Sequence, residues 1–457
     1  MTTSHPAATP TYILRGHVAP IHALQIFNKN RRLASGDADG WIVIWDLVSK
    51  RPVAVWKAHE GAVLEVKAFT LGGGRLTEIY THGRDHKLRI WRFRVQDEEI
   101  LQKTLPVDAS QSQSGSQAQA QPWLIHSLMV NALNFCAFSM LFLPQDQNQN
   151  HKKESDEIPP SSSLIAVPNA LDSGAIDLFH LPSERRICTI PTYPAVKTGM
   201  VMAVRLIRPK LLQDGDEDLY VASAYEDGHV MVTICRGFLS DIGSLITATT
   251  NINTKTKSWK WDNIYTSRAH SQPALSIDVI PSDSGDFFIS SSADANIVKH
   301  PIPISHPQSS HTTHTPSRGT PIKTVNTKHA GQQGLRVRSD GKIFATAGWD
   351  SRVRVYSCKT MKELAVLKWH REGCYAVGFG EILGATPDVD SSSTNAVTEQ
   401  QGQQGKDGDE DKKRIIHQAK EDFSLAQVQR QRSLKVQNTH WLVAGSKDGK
   451  ISLWDIY

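Results

Sequence analysis

Two quartets of side chains with hydrogen-bonding chemistry occur near the start of this chain: His17, Ser35, Asp39 and Trp45, then His59, Thr81, Asp85 and Trp91. A histidine between a hydroxyl and a carboxylate is the grouping of a hydrolytic triad, in which the imidazole takes the hydroxyl proton and the carboxylate orients the ring. The same residues can also form a structural network. The imidazole then accepts the hydroxyl proton on one nitrogen and donates to the aspartate from the other, while the indole N–H is donated as well. Repetition in register favours the structural reading, because one active site has no need of copies. No catalytic residue is therefore assigned.

Other candidate sites are weaker. His82, Asp85 and His86 have metal-ligand types, but their spacing on a hairpin does not put them on one side. His300, His306, His311 and His314 form a histidine-rich tract that reads as a solvated loop. Gly72-Gly73-Gly74 reads as a hairpin tip, and no G-x-G-x-x-G or Walker sequence supports a nucleotide site. The expectation is no metal, no cofactor and no small-molecule substrate.

The elements that carry the quartets are short strands. Leu33 to Gly36 is small and apolar, Asp39-Gly40 has turn chemistry, and Trp41 to Trp45 is β-branched and aromatic. The stretch ends on Trp45-Asp46 and follows Gly16-His17, the signature of a propeller blade. Copies recur at Ile79–Arg92, Ile343–Tyr356 and Leu442–Asp455. Degenerate copies complete seven blades, with turn aspartates at Asp39, Asp85, Asp172, Asp227, Asp294, Asp350 and Asp448. The expected fold is all-β, a seven-bladed WD-repeat β-propeller. The network is partial beyond blade two. Thr346 and Asp350 have Tyr356 in place of the tryptophan, and Asp448 and Trp454 have Ala444 in place of the hydroxyl.

Seven blades need only about 300 residues, so much of a 457-residue chain must lie in insertions. Residues 1–10 are expected to be disordered, and the propeller to run over 11–457. Polar, low-complexity insertions are expected near 108–121, 144–163, 238–262, 301–320 and 381–435, with a helix between Lys412 and Val436. The inner strand of blade three is expected at Leu128–Phe135. Tyr12-Ile13-Leu14 has no nearby partner, and the chain stops after the third strand of its last blade. The N-terminal strand is therefore expected to complete that blade and close the ring.

Lys+Arg 51 against Asp+Glu 46 gives a net charge of +5, too weak an excess for a nucleic-acid groove. Five scattered cysteines without C-x-x-C fit a reducing compartment. Met1 to Pro10 has no apolar region, so no signal peptide is expected. Trp123 to Leu143 is interrupted by His126, Ser127, Asn131, Asn134 and Ser139, and reads as two buried strands rather than a membrane span.

The residues before each turn aspartate should line one rim of the ring: Ala38, Arg84, Leu171, Glu226, Ala293, Trp349 and Lys447. An exposed tryptophan among charged residues has the composition of a binding hot spot, so Arg84, Glu226, Trp349 and Lys447 are the candidate partner-binding residues.

The opening Tyr12-Ile13-Leu14-Arg15-Gly16-His17, then Ser35-Gly36-Asp37-Ala38-Asp39-Gly40-Trp41, then Trp56-Lys57-Ala58-His59, resemble the ASTRA-associated family of fungal WD-repeat proteins. Val443 to Trp454 matches as well. The resemblance implies a nuclear scaffold subunit of the ASTRA assembly, linked to chromatin remodelling and to maturation of phosphatidylinositol-3-kinase-related kinases. It implies protein subunits as partners, chromatin only indirectly, no membrane and no catalysis. The competing readings are a G-protein β-like signalling scaffold and a ubiquitin-ligase substrate receptor. No heptad helix precedes Tyr12, and Trp45-Asp46-Leu47-Val48 lacks the x-Arg that often follows Trp-Asp in such receptors.

Overall fold

A computed structural model describes residues 8–109, 120–131, 135–143, 162–208, 218–247, 259–280, 287–304, 319–383 and 425–456. The described strands form seven four-stranded antiparallel sheets. Six of these sheets use four consecutive strands, as in blade one: Ile21–Phe27, Arg32–Asp37, Trp41–Asp46 and Arg51–Lys57. The inner strand of each sheet lines a central channel, and successive sheets pack face to face around it. The fold is a seven-bladed β-propeller.

Each blade is buried on both faces, which is why its strands read as nearly continuous apolar runs. The apolar side chains form seven clusters, one between each pair of neighbouring blades. Ile42, Ile44, Trp56, Val66, Ile79 and Trp91 belong to the cluster joining blades one and two. Leu14, Leu24, Val43, Trp441 and Leu453 belong to the one joining blades seven and one. A polar belt runs inside them. The Ala68 N–H donates to Gln25 Oε1 (2.9 Å), the Leu206 N–H to Ser139 Oγ (2.9 Å) and the Val337 N–H to Asp278 Oδ2 (2.8 Å). In each case an inner-strand side chain satisfies a backbone amide of the next blade's inner strand.

The ring closes as the sequence suggested. Tyr12–Arg15 pairs antiparallel with Lys450–Asp455, completing a sheet with Trp441–Ser446 and Cys374–Phe379. Leu14 is 2 % exposed, so the closing strand is anchored by one buried leucine as well as by its ladder.

Blade three differs from the sequence reading. Trp123–Met129 pairs with Lys87–Arg94 and is the outer strand of blade two; the inner strand of blade three is Ser139–Phe142. The chain detours between Arg94 and Trp123. The Val55 N–H donates to Gln102 O and the Val107 N–H to Gly16 O, so the detour covers the free edge of blade one before blade two is finished. The expectation of two buried strands over 123–143 also fails, because Trp123 is 77 % and Met129 69 % exposed. Among the described residues, no helix is long and apolar enough to cross a membrane. A ten-residue helix, Phe238–Thr247, opens the segment read as an insertion at 238–262, and Leu425–Asn438 forms the helix expected before blade seven's second strand. The insertions at 108–121, 144–163, 301–320 and 381–435 fall largely outside the described residues, as do His306, His311 and His314.

Truncating the closing leucine tests the seam. Leu14→Ala should cost about 2–4 kcal/mol in chemical denaturation, whereas Tyr12→Ala, on the exposed side of the same strand, should cost about 0.5 kcal/mol or less.

Candidate functional site

The histidine relays lie at the ends of the inner strands, where each blade meets the one before it. In blade one His17 Nδ1–H donates to Asp37 Oδ2 (2.7 Å), since a carboxylate can only accept. His17 Nε2 then accepts from the Ser35 hydroxyl (2.8 Å), whose oxygen takes the Trp45 indole N–H (2.9 Å). The expected aspartate was Asp39; that residue is exposed, and Asp37 takes the role. Blade two uses Asp85, at Asp39's position, with His59 Nδ1 at 2.8 Å, Thr81 and Trp91. The reason is steric. Gly83 stands where blade one has Asp37, and a Cβ there would meet the His59 ring at 2.3 Å. In blade two the imidazole itself occupies that space and the carboxylate reaches back from the turn; in blade one the carboxylate stands there.

A longer chain runs from the outer strand of blade four, Asp262–Arg268, into blade five. The Tyr265 hydroxyl donates to His300 Nδ1 (3.0 Å), His300 Nε2–H to Ser290 Oγ (2.7 Å), and the Ser290 hydroxyl to His270 Nε2 (2.7 Å). His270 Nδ1 lies 3.3 Å from Asp294 Oδ1. His300 therefore belongs to no loop. It is fully buried on the strand Asn296–Pro301, stacked on Phe288, in the place of the indole donor. In blade seven the hydroxyl absent at Ala444 comes from Ser452, which faces Ala444 across the ladder. Ser452 Oγ bonds His370 Nε2 (2.8 Å) and the Trp454 indole N–H (2.8 Å), with Asp448 at 3.7 Å from His370 Nδ1.

The other three aspartates serve elsewhere. Asp350 pairs with Arg354 at 2.6 Å, while Gln332 takes the histidine's place and accepts from Thr346. Asp227 holds His229 two residues on, at 2.5 Å. Asp172 is exposed and accepts from Thr192; the buried carboxylate of blade three is Asp177, held by Asn169 and Thr189. In these blades, among the described residues, no imidazole bridges the turn acid to a core hydroxyl; His229 beside Asp227 and His329, 3.6 Å from Asp350, bond no such hydroxyl.

Burial opposes ionisation of Asp85, yet His59 and Arg89 outweigh it and hold the carboxyl below the usual range. Asp294 is lowered to about 2 in the same way, against burial, by His270 and by the backbone amides of Ser271 and Asn296. Burial, with His270 nearby, pushes His300 well below the ordinary imidazole value. The hydroxyls of Ser35, Thr81, Ser290 and Ser452 are on residues with no exposed surface, and each oxygen already accepts an N–H. A nucleophile must meet its substrate, and these are sealed from it. Among the described residues no group of three His, Cys, Asp or Glu could hold a metal.

The relays fix the turns that form the rim. Gly40, at φ 88°, packs so closely on blade two's loop that a Cβ would lie 1.9 Å from the His59 carbonyl oxygen. Gly449 meets the His17 carbonyl, and Gly228 the His270 carbonyl, in the same way. On that rim Trp349 is 49 % exposed; its indole N–H donates to Gln333 Oε1 (2.7 Å) and its ring lies against Gly331. Leu171 is 97 % exposed, and the Arg84 guanidinium sits 4.5 Å from the centre of the Phe135 ring. Lys447 and Glu226 are exposed, the latter accepting the Met200 amide, while Ala38 and Ala293 are half-buried.

The sequence reading missed the channel mouth. In six inner strands the register shifts at the second residue, a β-bulge that turns one side chain into the channel. These residues are His22, Leu64, Met202, Leu275, Gln333 and Tyr375, and all six line one cavity. His22 stacks on Tyr375 with ring centres 5.3 Å apart. Period-two alternation resumes after each bulge, so pattern alone gives no sign of it.

The model of one protein family, ASTRA-associated protein 1, matches residues 10–454, the span from the closing strand to the last blade. The chain belongs to the ASTRA-associated protein 1 family. A member from Aspergillus niger is 60 % identical over 99 % of this chain and 98 % of its own length. One from Aspergillus flavus is 58 % identical over 100 % and 99 %. A distant member, from Schizosaccharomyces pombe, is 32 % identical over 81 % of this chain and 93 % of its own.

Two outcomes test the relays. Ser452→Ala should cost about 1–3 kcal/mol by leaving His370 and Trp454 unpaired, and adding Ala444→Ser should recover much of it, measured by denaturant unfolding. The neutral His300 contributes stability that is complete above pH 6.5 and fades as the pH falls toward its depressed folded value. His300→Gln keeps an N–H donor and cannot titrate, so the fall in melting temperature between pH 7 and 5 should be shallower than in the parent.

Proposed function

We propose that the protein is a non-catalytic scaffold subunit of the nuclear ASTRA assembly, acting in chromatin remodelling and in the assembly and stability of phosphatidylinositol-3-kinase-related kinases. The observation carrying this reading is that its relays end in a rigid, partly apolar rim rather than in an open reactive group. Leu171, Trp349 and Phe135 present exposed apolar surface on this face of the ring, with Arg84, Glu226 and Lys447 as charged neighbours. Exposed aromatic and arginine side chains on a pre-organised surface are what a protein partner uses as anchors. Family membership supports the choice of assembly, since the relatives are named for association with ASTRA. On this reading the protein reaches chromatin through other subunits and resides in the nucleus.

Affinity purification of the full chain from native extract tests the assignment. Large helical-repeat subunits and a giant kinase should co-purify; ubiquitin-ligase adaptors or Gα-like GTPases in their place would overturn it. Trp349→Ala and Leu171→Glu should each reduce that capture about tenfold or more while shifting stability by about 0.5 kcal/mol or less. A large loss of stability in Trp349→Ala would mean that the ring acts mainly as packing on Gly331.

A further inference from the structure

Below the collar of bulge residues the channel becomes charged. Three positions beyond each bulge stand Gln25, Lys67, Arg205, Asp278, Arg336 and Gly378. Gln25 is used by the amide and carbonyl of Ala68. Asp278 accepts the Val337 amide and lies 3.4 Å from Arg205 Nε. One further acid enters this layer. Glu65, where the other bulged strands have Ala, Ser or Gly, reaches from blade two across the channel to Arg336 of blade six (2.6 Å).

Three cations thus face two carboxylates, and the pairs leave Lys67 over. Among the described residues its ammonium has no hydrogen-bond or ion-pair partner; an aromatic face, Phe138, lies 5.9 Å away. Glu65 is itself a carboxylate oxyanion held in this field, and it shows what the layer recognises. Burial raises its carboxyl, yet Arg336, Lys67 and Arg205 bring it below the ordinary value. Lys67 is pushed down to about 8 by burial, with Arg205 and Arg336 adding to the effect and Glu65 opposing it. Glu65, Arg205 and Arg336 line the cavity, and Lys67 stands two residues beyond Glu65 on the same inner strand.

We propose that the channel of this propeller binds a phosphate-class oxyanion, free or carried on a partner's side chain, between Lys67, Arg205 and Arg336. Two guanidinium forks and an ammonium converging from blades two, four and six suit a multivalent oxyanion better than a halide, because several oxygens can each accept a charged N–H. The stacked His22 and Tyr375 rings and Phe135 line the same cavity as both guanidinium groups.

The test uses the purified full chain at pH 7 and constant ionic strength, titrated with inorganic phosphate and followed by calorimetry and thermal unfolding. Phosphate should bind saturably and raise the melting temperature beyond any effect of chloride. Lys67→Met should weaken binding at least tenfold, and Glu65→Gln, which removes the competing carboxylate, should tighten it severalfold. The ligand-free melting temperature of Lys67→Met checks folding and should match or exceed the parent, because that lysine holds its charge at a disadvantage. Should Lys67→Met fail that check, Lys67→Gln serves in its place. O-phosphoserine separates the sources. Binding as tight as phosphate or tighter points to a partner's phosphorylated side chain, and binding of phosphate alone points to a free ion. A phosphate effect equal to that of chloride, or affinity unchanged by the Lys67 substitution, would overturn the proposal.

Discussion

The fold depends on the hydrogen-bonded imidazole between neighbouring blades. A propeller blade is a four-stranded sheet with little reason to hold a fixed angle to the next one, since apolar faces attract without direction. The relay histidine supplies direction. It sits on the loop entering a blade, bonds that blade's hydroxyl and carboxylate, and presses its own carbonyl against the turn glycine of the blade before. His59 against Gly40, His270 against Gly228 and His17 against Gly449 repeat this contact. Each relay locks a loop, a turn and the angle between two sheets.

Relays occur in blades seven, one, two and five, and two of the four, those of His370 and His17, adjoin the blade in which the ring is sewn together. Closure joins the first described strand to the last, and ordering such distant segments carries the largest loop-closure cost in the chain. Buried, directional bonds beside the seam offset it. Blades three, four and six manage without them, relying on Asn169–Asp177, on a Tyr225–Ser223 bond and on Arg354–Asp350. These substitutes satisfy polar groups inside one blade rather than fixing its neighbour.

Rim and channel are two outcomes of the same inner-strand geometry. The bulge at the second residue of an inner strand points one side chain at the mouth, and the residue three further on points at the axis. Trp349 on the rim bonds Gln333 in the collar, so the two surfaces are mechanically linked. A partner gripping the rim and an anion in the channel would both act on this connected shell.

Sequence by itself determined the repeat, the strand type and the closure, because period-two apolar runs, Asp-Gly turns and Trp-Asp endings are local signals that need no neighbour. It also placed both quartets nearly right and identified the rim turns. It could not choose between Asp37 and Asp39, because the choice rests on whether a Cβ or a hydrogen stands against an imidazole from another segment. It could not see that Ser452 replaces the hydroxyl absent at Ala444, because that exchange runs across a ladder. His300 looked like part of a loop tract until its strand paired with Phe287–Ser292 and buried it. The charged channel was the least legible feature: Glu65 and Arg336 are 271 positions apart and meet only because seven sheets form a circle.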